Sequence, residues 1–418
     1  MFRSWKNKKF WIYIAATSIA FLSLIIVTDL SSIKRFNLNR DSLNAETWLE
    51  VEKNETVKIC LDSKVHSWET SLNAEILNDS CLKLQIPTLV GVNTINVQFY
   101  DTDSAYEINL AVGMKYLDFK NEEVLLGYDD FEDTVEVKTK LTDLFKNINV
   151  KKLVSVSGSY LVDKYPVTNC EILQVAWDYF YFHYKDESVE WTNRKIKNRN
   201  ELCNVHDTAA YRIDLFLAMK YANERSIREG LKPYYSFLRK KRGEKLESPN
   251  VIGYTFYDDP YWILVDTTSD GYRLPYYDEW MMFARGGDRG NAPWNDSISF
   301  YKFMNPRKSK FYSISEPVGL YEPNGYGLHD IFGLVEELVI FEQSSLIKQK
   351  CIWFEVLIGK SNKAIHSCPS CLKGGGRIDD NWQDINYGYY SYEETGGFRL
   401  IRNIGNNAKW SEVKSEKE

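Results

Sequence analysis

The residues best equipped for chemistry in this chain are its seven cysteines and five histidines. Only two cysteines stand close together, in the run Cys368-Pro-Ser-Cys371. A C-x-x-C pair allows three readings. A redox pair needs its first thiolate at a helix start, where the backbone stabilises it, and the following LKGGG is no helix. Half a zinc site needs a second pair of Cys or His at ligand spacing. A structural disulfide, local or to another cysteine such as Cys351, asks for neither. His66, His183, His206, His329 and His366 are scattered, without an H-x-x-x-H pair, and the chain has no P-loop and no G-x-S-x-G.

Cys60 and Cys81 form a second candidate pair. Both lie in segments that alternate polar and apolar residues, TVKICL and CLKLQIP, and NTINVQFY and YEINLAV continue the pattern. Turn clusters DSK, NDS and DTDS separate them. Residues 44–113 therefore read as a small all-β, immunoglobulin-like module in which the two cysteines pair, because a core this small gains from a staple outside the cytoplasm.

The chain's start bears on that compartment. Met1–Lys9 carries Arg3, Lys6, Lys8 and Lys9 and no acid, and Phe10–Thr28 follows with 19 uncharged residues. About 20 apolar residues cross a hydrocarbon core as a helix. Residues 1–30 are expected to be a basic cytoplasmic tail and an uncleaved transmembrane signal anchor, with the main domains outside. Membrane contact through that helix is the first partner expectation. Nucleic acid is excluded as a partner, because the net charge of −6 is carried by an acidic remainder that offers phosphates no basic face.

Four further segments recur in order: LVDKYPVTNCEI (161–172), GYRLPYYDEWMMFARGG (271–287), PNGYGLHDIFGLVEEL (323–338), and LKGGGR with GGFRLIR (372–377, 396–402). Together they resemble the formylglycine-generating-enzyme family, the sulfatase-modifying-factor domain, whose members show a "VTN", an "RLPTEAEWE-ARGG", an "N-FGL-DM-GNVWEW", an "RGGSW" and a "GFR". The resemblance implies an α+β, C-type-lectin-like domain over residues 151–404. The polar, acidic stretch 114–150 before it reads as a linker or as the first irregular part of that domain, and 405–418 after it as a charged tail. The matching positions are Thr168, Asn169, Arg273, Pro275, Glu279, Trp280, Gly327, Gly333, Gly374, Gly375, Gly397, Phe398 and Arg399. Arg273 is expected to tie loops together through a buried ion pair or carbonyl contacts.

Local patterns place these motifs on elements. Thr168-x-x-Glu171 has the form of a capping box, so the VTN segment closes a strand and opens a helix. A second helix fits Thr208–Glu229, with Ile213, Phe216, Leu217 and Tyr221 inward and Gly230 ending it. Pro275 suits the first turn of a third helix, where Tyr276 replaces the family's threonine.

The family's oxidases use a C-x-x-x-x-C pair after the RGGS segment, because paired soft thiolates hold Cu(I). Here the corresponding segment, RIDDNWQDINYGYYSYEE, has no cysteine, so copper and the oxidation it serves are not expected. In the family an asparagine and a glutamate of "GNVWEW" help ligate calcium. Glu337 is kept while the asparagine is Leu334, which leaves calcium as a candidate cofactor with one ligand lost. The expected function is a non-catalytic, exported protein that binds or builds at the cell surface. The alternative is an enzyme of altered chemistry. Asp379, Trp382, Tyr387 and Tyr390 are the candidate recognition surface, their rings and carboxylate suited to a glycan or a cell-surface protein.

Overall fold

The structure is a computed structural model. It describes residues 33–126, 152–175, 208–287, 317–340 and 395–413 apart from short gaps, with isolated strands at 355–356, 365–366 and 370–373. The chain divides into two compact units, Met1–Gly113 and Met114–Glu418.

The first unit holds eight strands: β1 (Lys34–Leu38), β2 (Glu46–Val51), β3 (Thr56–Leu61), β4 (Val65–Thr70), β5 (Asn73–Asn78), β6 (Cys81–Gln85), β7 (Gly91–Phe99) and β8 (Ala105–Val112). They form two four-stranded sheets, ordered β1-β3-β6-β5 and β2-β8-β7-β4. The alternating segments are strands as expected. Strands β3 and β7 bury every second residue, and Val57, Ile59 and Leu61 of β3 share one core with Ile95, Val97 and Phe99 of β7; β8 buries all of Ile108 to Val112. Cys60 and Cys81 are direct partners in the β3–β6 register and are disulfide-bonded. The strands begin at Lys34, ahead of the expected boundary at 44, because β1 pairs with β3.

A three-stranded antiparallel sheet, β20-β10-β9, organises the second unit. Its strands are β9 (Met114–Leu126), β10 (Lys152–Asp163) and β20 (Ile401–Glu412). Two expectations are corrected here. The linker reading of 114–150 fails over its first thirteen residues, which form β9, and the charged tail at 405–418 is strand as far as Glu412. Both segments are polar, yet pairing with β10 satisfies the backbone groups they turn toward it, and Phe119, Val124 and Leu126 enter the core, with Trp410 packed against it. The amphipathic stretch at 135–148 lies outside the described residues.

Two helices flank this sheet. Helix α1 (Leu215–Arg228) follows β11 (Ile213–Asp214), and α2 is Tyr277–Arg285. Helix α1 starts seven residues later than its pattern suggested. Thr208 and Ala209 instead bridge to Pro317 and Thr168, and Ile213 and Asp214 pair with β19 (Thr395–Gly396). Its end is as expected: Gly230 sits at φ 72, its N–H reaches the Ile227 carbonyl, and the Leu231 N–H reaches that of Ser226. This doubled closure is the Schellman arrangement, which favours glycine at the left-handed position. Strands β12 (Tyr235–Arg239), β13 (Val251–Phe256) and β14 (Asp259–Val265) make a separate sheet in the order β12-β14-β13. Four short strands complete the list, β15 (Glu337–Ile340), β16 (Glu355–Val356), β17 (Ile365–His366) and β18 (Ser370–Lys373), of which β15 pairs with β18.

Among the described residues no helix is long and apolar enough to cross a membrane. Phe10–Thr28, the expected anchor, lies outside them.

Candidate functional site

The motif segments meet at one buried point. Arg399, which follows Phe398, sends Nε and Nη2 to the Glu337 carboxylate at 2.7–3.0 Å. Its Nη1 donates to the carbonyl of Asp163 at 3.1 Å and Nη2 to that of His329 at 3.0 Å. The Trp280 indole N–H, from α2, donates to the same carboxylate at 2.7 Å. Neither ionic side chain is exposed at all. One ion pair thus joins the LVDK, RLP, GLHD, VEEL and GFR segments, and each of its donors replaces the water it lost.

This geometry corrects the calcium reading. Both Glu337 oxygens accept from Arg399, one of them also from Trp280, and a guanidinium occupies the place where a cation would bind. A dication wants several oxygens and no neighbouring positive charge, so these residues do not fit calcium. Among the described residues there is no cluster of three or more His, Cys, Asp or Glu that could hold a metal.

Arg273 behaves as its motif implied. It grips Glu279 through two contacts, Nη1 at 2.6 Å and Nη2 at 2.7 Å, and Nη2 also donates to the Asn403 Oδ1 at 2.7 Å. Glu279 accepts in addition from the Tyr276 N–H at 2.9 Å and the Tyr160 hydroxyl at 3.2 Å. Burial beside that carboxylate pushes the Tyr160 hydroxyl well above its usual pKa. Pro275 does not sit in the first turn of α2. Tyr276 is the residue preceding the helix, and the Pro275 carbonyl is used by the Ile340 N–H at 2.9 Å. Glu279, three residues on, satisfies the Tyr276 N–H.

Thr168 and Glu171 form the expected reciprocal cap: the Thr168 N–H donates to the Glu171 carboxylate at 2.9 Å, and the Glu171 N–H donates to the Thr168 hydroxyl at 3.2 Å. Residues 169–175 are helical. Asn169 donates to the Thr208 hydroxyl at 3.0 Å, drawing the two segments together. Cys170 is disulfide-bonded. Gly327, at φ 76, brings its backbone against the Lys115 side chain, and a Cβ on Gly397 would meet the Val335 side chain and the Ala210 carbonyl. Gly333, Gly374, Gly375, Cys368, Asp379, Trp382, Tyr387 and Tyr390 lie outside the described residues, and of Cys371 only its place in β18 is described.

A third buried pair escaped the sequence reading. Arg225 of α1 donates to both oxygens of Asp163, at 2.8 and 3.0 Å, while Asp163 also accepts from the Leu400 N–H at 2.9 Å. The guanidinium lies over the Tyr272 ring at 3.9 Å, and burial raises the Tyr272 hydroxyl above its usual range. The signal was present, since Leu217, Tyr221 and Arg225 follow at four-residue intervals along one helix face.

Comparison with known proteins adds the family. The chain is similar to the "Chaperone protein LppX" of Paenibacillus barcinonensis, 29% identical over 147 residues, a match that covers 30% of this chain and 49% of that protein. It therefore spans about half the length of this curated relative. Among solved structures it is similar to Treponema denticola variable protein 1, at 18% identity, covering 75% of this chain and 99% of that one with a TM-score of 0.43. PvdO from Pseudomonas aeruginosa matches at 16% identity, over 70% and 94%, with a TM-score of 0.38. Residues 130–404 match the model of the sulfatase-modifying factor enzyme 1-like domain, and the chain belongs to that family as a divergent, strand-rich member that lacks the oxidases' cysteine pair.

Proposed function

We propose that this chain is a membrane-anchored, exported protein that uses its sulfatase-modifying-factor domain for binding or cell-surface assembly, without oxidising cysteine. One observation carries the reading. The charged residues that make the chain recognisable, Arg273, Glu279, Glu337 and Arg399, are buried and bonded to one another, to Trp280, Tyr160 and Asn403, and to backbone groups, and the segment after Gly374–Gly376 has no cysteine. The part of the domain that carries the motifs is a frame. Chemistry by soft-metal thiolates has no ligands where the family keeps them.

In this reading the first unit is an immunoglobulin-like spacer that follows the anchor, and the region of Asp379, Trp382, Tyr387 and Tyr390 is the recognition surface. Flat rings stack on sugar faces, and carboxylates accept from hydroxyls. Two experiments test the assignment. The purified protein is incubated with Cu(I) and a sulfatase-type peptide, and mass spectrometry is expected to find the peptide cysteine unchanged; conversion to formylglycine would overturn the non-oxidase reading. A polysaccharide pull-down then compares wild type with Trp382→Ala, and equal retention would dispose of the proposed surface. For the anchor, protease added to intact spheroplasts should digest the main domains. Full protection would contradict export.

A further inference from the structure

Among the described residues the first unit's two sheets have four edge strands, β1, β5, β2 and β4, and of these β5 alone buries none of its residues even partly. Strand β5 is at the edge of the β1-β3-β6-β5 sheet, and all six of its residues, Asn73 to Asn78, are exposed. It contributes none of the buried residues of the unit's core. It nevertheless carries Ile76 at 63% exposure and Leu77 at 39%, two of the six large hydrophobic residues that stand exposed among those described. Asn73 to Ile76 pair regularly with Gln85 to Leu82 of β6, and the register shifts between Ile76 and Asn78 so that Leu77 is an extra residue. The straight part of the strand thus presents the N–H and C=O groups of alternate residues to solvent, a row that only another extended backbone can match.

An edge of this kind is a hazard unless it is blunted. The usual devices are proline, inward-pointing charge or a covering loop. Strand β5 has no proline, and its one charge, Glu75, is held by Lys83 of the neighbouring β6 at 3.2 Å. The surroundings are acidic: residues 31–113 contain seven Lys and Arg against twelve Asp and Glu. Glu69 stands exposed on β4, one short turn before β5, and Asp79, just after it, is exposed with the Lys64 ammonium at 3.9 Å.

We propose that β5 is a docking edge that accepts an added strand from a basic, extended polypeptide with apolar side chains, Ile76 and Leu77 supplying the apolar contact and the acidic surroundings the charge selection. Backbone pairing gives such an interface its affinity, and alternate side chains give it specificity. The site is separate from the motif frame of the second unit, and so is its test.

The full chain in detergent micelles is titrated with a fluorescein-labelled alternating Val-Lys nonapeptide, and anisotropy is recorded. Three controls accompany it: the Val-Glu counterpart, the Val-Lys peptide with every second backbone nitrogen methylated, and the Ile76→Lys variant of the protein. Ile76 is exposed, so this variant folds, which circular dichroism verifies. We expect saturable binding of the Val-Lys peptide that weakens at least tenfold in each control. Equal binding of the methylated peptide reduces the effect to charge adhesion and overturns the proposal, as does absence of binding. Sedimentation of the protein alone supplies the last check. A dimer that Ile76→Lys dissociates would mean that a second copy takes the edge, and the proposed partner would be wrong.

Discussion

Arg399 and Glu337 are 62 residues apart in the chain and share three hydrogen-bonded contacts in a core that excludes water from both. Removing one partner leaves the other charge buried and unpaired. Arg399→Ala is therefore expected to destabilise the second unit by about 3–5 kcal/mol, read as a lower urea midpoint. Calcium should not move that midpoint in wild type. A calcium-dependent rise would reinstate Glu337 as a metal ligand.

Two glycines at left-handed φ separate steric cost from conformational cost. Gly230 has φ 72 and open space where a Cβ would stand, whereas Gly286 has φ 61 and a Cβ there would lie 2.7 Å from the Gly325 nitrogen. Gly230→Ala should cost about 1 kcal/mol from backbone strain alone. Gly286→Ala should cost clearly more, because the helix end and the 324–325 turn must separate. Thermal melts of the two variants decide the order.

Asp266 is held near a pKa of about 2 by the Lys232 ammonium and by the Thr268 hydroxyl and N–H. A depressed carboxylate contributes stability above its unfolded pKa of about 3.9 and loses it as pH falls through the folded value. Stability should therefore decline between about pH 4 and pH 2, in part through this residue. Asp266→Asn should flatten that portion of the acid limb. An unchanged limb would show that the contact is not made in solution.

The disulfide between Cys60 and Cys81 closes a loop with a sequence separation of 21. For a loop of this size about 3 kcal/mol of stabilisation is expected. Non-reducing peptide mapping should recover the linked pair, and replacing both cysteines with serine should lower the melting of the first unit. Alkylation of both cysteines without prior reduction would count against it.

What the sequence made legible was the frame. Trp280, Arg273 and Arg399 stand in motifs, and strands such as TVKICL alternate cleanly, so both could be read without coordinates. Strand β9 could not, because its buried residues change parity: Leu117 and Phe119 face the core from odd positions, Val124 and Leu126 from even ones. The change is made at Asn121, φ 57, where one residue is left out of the pairing with β10. A bulge of this kind erases the period of two on which strand reading rests. Strand β20 was hidden differently, since Gly-Asn-Asn-Ala-Lys-Trp-Ser-Glu is polar in composition and becomes strand only because β10 offers it an edge. Arg225 was passed over because an arginine on a helix is usually solvated. Its place on the apolar stripe was the better guide.

The order β20-β10-β9 also fixes how the second unit meets tension. Met114 opposes Asp163 at one end of β10, while Glu412 opposes Val154 toward the other, about 30 Å away at the rise of a strand. A pull between Met114 and Glu412 runs along the strands, so the hydrogen bonds on both sides of β10 are loaded together in shear instead of opening one after another. The load is met first by the sheet, and the rate of forced unfolding is set by how well β10 holds its two neighbours.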